Sequence, residues 1–257
     1  MLRKRLIFAL FYSQGNFMQS RNFRLQRVGD INWLERNFKF QKISFSLDEL
    51  IVLNATKEEK DIVEFTDVVK RLVENVFIPV AAGGGIRSLD DADKLFNNGA
   101  DKIILNSALY ETPELVNQIA EKYGSQSIVA SIDYRYIEGN PRVLINDGVR
   151  LIDMHLDEYL IKVLATPVGE ILLNSIDKDG TGFGFDLNIM NSAIHSINIP
   201  LILMGGAGNE LHLHEGIELE NISAVASGNL FNFIGNGLPN ARKYLLEQGC
   251  NLPSWGE

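Results

Sequence analysis

The strongest constraint on the fold is an internal repeat that covers most of the chain. Pro79 and Pro200 each open an apolar segment that ends in glycines, GGG in one case and GGAG in the other. These prolines lie 121 residues apart, and the same offset separates Glu49 of ELIVLN from Glu170 of EILLNS. Chance similarity of two glycine-rich segments would not place a further pair at the same offset. We therefore interpret the chain as two copies of one structural unit.

Each copy alternates buried apolar segments with amphipathic ones. Residues 76–82 are apolar almost throughout, as expected for a parallel strand that is covered on both faces. Ser88 then caps a helix that Gly99 ends, and Lys102–Leu105 return as the next strand. Four strand–helix units in each half predict the α/β class and a closed (β/α)8 TIM barrel with a two-fold half-barrel repeat. The half-barrels cover approximately residues 1–123 and 124–257 of a single domain.

Charge and cysteine content exclude several classes of partner. The 257 residues carry a net charge of −9, which disfavours nucleic acid and anionic membranes. Residues 2–12 resemble a signal peptide, but their apolar part is short and no small-residue cleavage site follows it. No apolar run reaches transmembrane length. Because Cys250 is the single cysteine, an intrachain disulfide is excluded, and we expect a cytoplasmic protein.

Glycine and polar residues follow the predicted strands, at the barrel end where ligands bind. Residues 12–30 are expected to form a long polar loop at this end, and residues 134–150 a hairpin around Gly139. Backbone N–H groups in glycine-rich turns suit a phosphate, so a phosphorylated small molecule is the predicted ligand. The alternative is that the glycines serve only the tight turns of the barrel. The phosphate-binding residues predicted in the second half are Gly180, Gly206, Gly228 and Asn229.

Neither a metal ion nor a cofactor is predicted. The loop Asp177-Lys178-Asp179 resembles the start of a calcium site but lacks the later acidic ligand. His212 and His214 are close in sequence, but no cysteine is near them in the chain, so a zinc site is not expected.

Five ordered motifs carry a resemblance to a known family. They are GGGIRS (83–88), ADKIILNSA (100–108), GSQSIVASID (124–133), EILLNSIDKDGTGFGFDL (170–187) and GGAGN (205–209). Together they resemble the cyclase subunit of imidazole glycerol phosphate synthase, and the similarity extends from Leu2 to about Phe233. The resemblance implies a (β/α)8 barrel that receives ammonia from a glutaminase subunit.

The resemblance also implies ligand contacts and a catalytic carboxylate pair. In the family, aspartates after strands one and five serve as acid and base. Asp133 matches the second of them, whereas Phe11, 122 residues earlier, stands in place of the first. A phenyl ring can neither accept nor donate a proton. The implied contacts to substrate, including the phosphate on the repeat-related side, are Gly85, Asn106, Ser107 and Asp179.

Four charged residues near the amino-terminal ends of the strands match the family's gate, where ammonia enters the barrel. They are Arg5, Glu49, Lys102 and Glu170. Asp101 and Gln126 match positions near the face where the glutaminase docks. The alternative for the four is an ion-pair network that serves stability. However, a buried ring of charges is rarely the most stable choice. Retention of the gate without the acid therefore indicates selection for passage of ammonia.

Two hypotheses follow from this pattern. The favoured one is an ammonia-conducting barrel subunit of a glutamine amidotransferase with little or no cyclase activity. By resemblance, it would act in acetamidino-sugar synthesis for surface polysaccharides, with an ATP-dependent sugar amidotransferase as the acceptor. The alternative is an active cyclase, a lyase of histidine biosynthesis, in which another residue replaces the lost aspartate. Four other positions also differ from the family. The family has Lys, Asp, Thr and Ser where this chain has, in the same order, Gln19, Asn54, Asn174 and Met204.

Overall fold

The computed structural model describes residues 3–38, 40–191 and 197–254, and within them eight parallel strands form a closed barrel. The predicted (β/α)8 architecture is confirmed. The strands are β1 (Arg5–Ser13), β2 (Asn16–Arg21), β3 (Arg24–Gly29), β4 (Glu49–Asn54), β5 (Val80–Gly83), β6 (Lys102–Leu105), β7 (Ile128–Ile137), β8 (Asn140–Ile145), β9 (Arg150–His155), β10 (Glu170–Ser175), β11 (Leu201–Met204) and β12 (Ala224–Ser227). The barrel order is β1-β4-β5-β6-β7-β10-β11-β12, and pairing of β12 with β1 closes it.

Helices cover the outside of the barrel between successive strands. They are α1 (Ile31–Phe38), α2 (Phe40–Ile43), α3 (Ile62–Asn75), α4 (Leu89–Asn97), α5 (Ser107–Glu111), α6 (Pro113–Tyr123), α7 (Leu156–Leu164), α8 (Glu210–Ile217) and α9 (Gly237–Glu247), with short 3-10 helices at Ser125–Ser127 and Leu187–Asn191. The predicted cap at Ser88 is confirmed, because its side chain accepts the N–H of Asp91 and the carboxylate of Asp91 accepts the N–H of Ser88. In the parts of the chain that the structure describes, no helix is long and apolar enough to cross a membrane.

The prediction of a long polar loop over residues 12–30 is wrong, because most of this segment forms strands. β1 continues to Ser13 and turns back into the antiparallel pair β2–β3. Gln14 and Gly15 at the turn have φ of 46° and 78°, as a two-residue hairpin turn requires. Buried Phe17 packs against Tyr12, with ring centroids 6.0 Å apart, which anchors the hairpin. The predicted hairpin around Gly139 is confirmed as the antiparallel pair β7–β8, and β9 pairs with β8 beyond it. Both half-barrels therefore carry antiparallel strands after their first barrel strand.

Alternation along the barrel strands separates an outer core from an inner one. On β1, Phe8 packs outward against Phe38 of α1, with ring centroids 5.3 Å apart, whereas Ile7 and Ala9 belong to the inner core. The inner core is apolar and contains several alanines. Its fully buried members are Ile7, Ala9, Ile51, Ala81, Val129, Leu172, Ile202, Ala224 and Ala226.

Candidate active site and charged ring

A cavity of about 630 Å³ opens at the carboxyl-terminal end of the barrel, on the side of the first half-barrel. Several predicted site residues lie together here. Gly85, Asn106 and Ser107 line the cavity with Asp133, and Phe11 forms part of its wall. The volume is in the range that holds a small-molecule ligand.

Asp133 lines this cavity, and its carboxylate lies between two side-chain amides. Asn174 donates to its Oδ1 at 2.9 Å, and Asn106 donates to its Oδ2 at 3.1 Å. Burial raises the pKa of Asp133 to about 7, and the hydrogen bond from Asn174 opposes that rise. Asp133 is therefore a buried carboxyl group that can carry a proton near neutral pH.

Phe11 is the residue of the first half-barrel that corresponds to Asp133 in the second, and it forms part of the wall between two cavities. Its ring is 8% exposed and packs against Gly228 at the end of β12. A Cβ atom at position 228 would lie 2.5 Å from Cε2 of Phe11, so the ring requires glycine there. The residue that replaces the family's aspartate is thus built into the top of the inner core.

The second half-barrel presents a much smaller cavity, of about 10 Å³, lined by the other predicted phosphate residues. They are Gly180, Gly206, Gly228 and Asn229. N–H groups around this site already have acceptors in the protein. Oε1 of Gln19 accepts the N–H of Leu230 at 2.8 Å, and Nδ1 of His212 accepts the N–H of Gly208 at 3.2 Å. The two repeat-related sites therefore differ: the first is an open cavity, and the second, which Gln19 borders, has almost no free volume.

Asp179 lines the smaller cavity and also connects the loop after β10 to the β2–β3 hairpin. Its Oδ2 accepts the hydroxyl of Ser20 and the N–H of Phe23, the latter at 3.0 Å. Burial raises the pKa of Asp179, and these two hydrogen bonds oppose the rise. This carboxylate thus holds the hairpin in place over the second half-barrel.

The four predicted gate residues meet at the amino-terminal end of the barrel. We call Arg5, Glu49, Lys102 and Glu170 the charged ring. Nη1 of Arg5 lies 2.5 Å from Glu49, and Nη2 bonds to Glu170. Nζ of Lys102 lies 3.0 Å from both carboxylates. Each cation therefore bridges both anions, and the ring closes across the barrel axis.

The charged ring is largely removed from water. Glu49 is 2% exposed and Glu170 is 5% exposed. Burial raises the pKa of Glu49, and the charges of Lys102 and Arg5 oppose the rise. Asp101 and Gln126 are exposed and flank β6 and β7 at the same end of the barrel as the ring. This end therefore combines a neutral, compact ion cluster with a polar exposed rim.

Sequence reasoning missed three side chains at the mouth of the large cavity. Lys60 forms an ion pair with Asp147 at 3.0 Å, and Ser107 donates to Asn146 at 2.8 Å. Asn146 and Asp147 form the turn between β8 and β9, with φ of 54° and 55°. The turn signal Asn-Asp-Gly is visible in the sequence. Its position over the cavity is set by packing of the hairpin, which periodicity does not reveal.

The expectation that no cysteine lies near the two histidines is wrong for His214. His212 and His214 lie on α8, and Cys250, which follows α9, folds back beside His214. The contact joins residues distant in sequence, so spacing alone could not find it.

The raised pKa of Asp133 predicts a pH-dependent effect of Asp133→Asn. A carboxyl group with a raised pKa stabilises the fold fully below its unfolded pKa, and that contribution is lost as pH rises through about 7. Asparagine does not titrate, so it does not share this loss of stability. The free energy of unfolding of the variant, relative to that of wild type, should therefore rise by on the order of 3 kcal/mol from pH 5 to pH 8. Thermal unfolding at both pH values measures this. Asp153→Asn, at an exposed position, should shift both midpoints alike. An equal effect of Asp133→Asn at both pH values would contradict the raised pKa.

Comparison with known proteins agrees with this geometry. A family model described as "Histidine biosynthesis protein" matches residues 15–235. The chain is 44% identical over 243 residues to a protein of Parasynechococcus marenigrum (strain WH8102), named provisionally as imidazole glycerol phosphate synthase subunit hisF2; the match covers 95% of this chain and 90% of that protein.

Two further relatives carry the HisF name without that qualification. Imidazole glycerol phosphate synthase subunit HisF of Hydrogenobaculum sp. (strain Y04AAS1) is 36% identical over 98% of this chain and 99% of its own length. The subunit HisF of Dictyoglomus thermophilum (strain ATCC 35947 / DSM 3960 / H-6-12) is 34% identical over 97% and 98%. The chain belongs to the HisF family of imidazole glycerol phosphate synthase subunits.

Proposed function

We propose that this chain is the barrel subunit of a glutamine amidotransferase, that it conducts ammonia through its interior, and that it has lost the cyclase reaction. The observation that carries the proposal is that one end of the barrel keeps the complete charged ring while the other end lacks the second carboxylate. The charged ring is complete at the amino-terminal end. At the other end Phe11 stands where the resemblance places the catalytic partner of Asp133.

The interior between these ends favours neutral ammonia over ammonium. Above the charged ring the inner core is built mainly of apolar side chains, with Ser131 facing the cavity beside Asp133. Transfer of an ion into such surroundings costs far more than transfer of a small neutral molecule. Ala9, Ala81, Ala224 and Ala226 reduce the volume that side chains fill along this path. The inner core is therefore suited to keep ammonia unprotonated on its way to the large cavity.

The charged ring is hard to explain by stability alone. Two buried carboxylates lose their hydration, and replacing such a cluster with packed apolar side chains often leaves a protein equally or more stable. Lys102 and Arg5 each bridge both carboxylates, so one cation could move and open a passage while the other still holds the two carboxylates together. We propose this exchange of partners as the gating step.

The surroundings of Asp133 support the proposed loss of the cyclase reaction. General acid–base chemistry with two carboxylates requires that one donates while the other accepts. Both oxygens of Asp133 receive hydrogen bonds from amides, and Phe11 has no proton to exchange. Two other positions that differ from the family are also committed to the fold, since Gln19 binds the N–H of Leu230 and Asn54 binds the N–H of Thr56.

The large cavity is the proposed binding site for a phosphorylated small molecule. Gly85, Asn106 and Ser107 lie at the carboxyl-terminal ends of β5 and β6, and the exposed Arg87 lies on the same wall. A phosphate here would meet backbone N–H groups at the start of a helix and a nearby cation. We propose Gly180, Gly206, Gly228 and Asn229 as the repeat-related phosphate site, which a ligand reaches only after Gln19 moves.

A glutaminase subunit is the proposed partner at the amino-terminal face, and a sugar amidotransferase of surface-polysaccharide synthesis is the proposed acceptor of the ammonia. The second candidate function is the complete cyclase reaction of histidine biosynthesis. It is favoured by retention of Asp133 with a pKa of about 7, and by the names of the HisF relatives.

The docking proposal predicts where charge changes matter. Asp101→Lys and Gln126→Arg should each weaken a 1:1 complex with the glutaminase of the same gene cluster at least tenfold, because both residues are exposed beside the charged ring. Glu138→Lys, on the hairpin at the opposite end, should leave the affinity unchanged. Titration calorimetry measures all three. Absence of any complex with wild type, or equal affinity of the three variants, would refute docking at this face.

The cyclase proposal predicts the outcome of an assay with added ammonia, which bypasses the glutaminase. Wild type should convert the ribulosyl aminoimidazole-carboxamide substrate of the histidine pathway at most at a trace rate, since a general acid or base contributes ~10²–10⁴-fold. Phe11→Asp alone should recover little. The triple variant Phe11→Asp, Gln19→Lys and Asn54→Asp should recover more, and Asp133→Asn in that background should abolish the gain. Rapid turnover by wild type would make the second candidate function correct.

A further inference from the structure

Three side chains that can coordinate a metal ion come from distant parts of the chain and lie together beside the start of β1. His214 and Glu218 lie one helical turn apart at the end of α8, and Cys250 follows α9. One ligand atom from each residue lies within 4.8 Å of the other two. Sγ of Cys250 lies 3.5 Å from Oε1 of Glu218. This cluster is at the amino-terminal face of the barrel and is separate from both cavities.

The backbone around the cluster is well fixed. The N–H of Cys250 donates to the carbonyl of Leu245 at 3.1 Å, and the N–H of Lys4 donates to the carbonyl of Asn251 at 2.8 Å. The imidazole of His214 contacts the ring of Tyr244 edge to face, with centroids 6.1 Å apart. Because helix α8 and the C-terminal segment are both anchored, the three side chains face one another without any rearrangement of the chain.

We propose that His214, Glu218 and Cys250 form a site for a Zn²⁺ ion. An imidazole, a carboxylate and a thiolate are all ligands that zinc accepts, and three protein ligands leave a fourth position for water. Ligand atoms around tetrahedral zinc are about 3.5 Å apart. Side-chain rotations that move the ligand atoms by about 1 Å would therefore bring all three within bonding distance of one ion. The bound ion would connect α8 to the C-terminal segment on the face that carries the charged ring.

Lys4 is the neighbouring group that works against the ion. Its ammonium donates to the carbonyls of Ile217 and Leu219, the latter at 2.9 Å, which keeps it beside the cluster. Burial lowers the pKa of Lys4, and the negative charge of Glu218 opposes that shift. A dication would meet the positive charge of Lys4 at short range, so removing that charge should tighten metal binding.

The test uses the whole chain after treatment with a chelator. Titration with Co²⁺ should give one ion per chain and an absorption band from thiolate-to-cobalt charge transfer, which Zn²⁺ should remove by displacement. Cys250→Ser should abolish the band, and His214→Gln and Glu218→Ala should each weaken binding at least tenfold. His212→Gln is the matched control, because that histidine lies on the same helix but points away from the cluster, and it should bind as wild type does. Lys4→Gln should bind more tightly.

Thermal unfolding of each metal-free variant shows whether it is folded, so that lost binding is assigned to the lost ligand. Zn²⁺ should raise the midpoint of wild type and not that of Cys250→Ser. The proposal is overturned if wild type binds no stoichiometric ion, or if Cys250→Ser retains both the affinity and the spectrum of wild type.

Discussion

Closure of the parallel barrel is the constraint on which the rest of the structure depends. Only a closed sheet directs alternate side chains of eight strands toward one shared interior. At one end of that interior, Arg5 and Lys102 meet Glu49 and Glu170. At the other end it is capped by Phe11. The barrel interior therefore contains three features in sequence. The charged ring lies at one end, the proposed passage for ammonia lies above it, and Phe11 replaces a carboxylate at the other end.

The two half-barrels show how a repeat can keep its geometry while its sites diverge. Both place a hairpin after the first strand and glycines after the third. Yet Gln19 reaches from one hairpin into the second half-barrel and takes a backbone N–H there, whereas the equivalent region of the first half remains an open cavity of about 630 Å³. A symmetric ligand would not meet symmetric surroundings. The two halves therefore offer a ligand different surroundings, although their strands follow the same order.

Much of the fold could be predicted because the repeat constrains it twice over. Pairs at one offset imply equivalent strands, and caps such as Ser88 mark where helices begin. Asp133 and the charged ring were also identifiable, because the resemblance to the cyclase family points to these residues at the ends of predicted strands. What escaped prediction depends on distant packing. The order of residues 12–30 comes from Phe17 against Tyr12, and the approach of Cys250 to His214 comes from the fold of the last segment.

The central claim is that ammonia travels inside the barrel and that the charged ring controls its entry. The most direct test follows the nitrogen in the complex of this chain with its glutaminase and the acceptor enzyme. Glutamine labelled with heavy nitrogen at its amide is supplied together with excess unlabelled ammonium. The account predicts that the product keeps the label with wild type and loses much of it with Lys102→Ala, while glutamine hydrolysis continues in both. Dilution of the label to the composition of the bulk solution in wild type would contradict it.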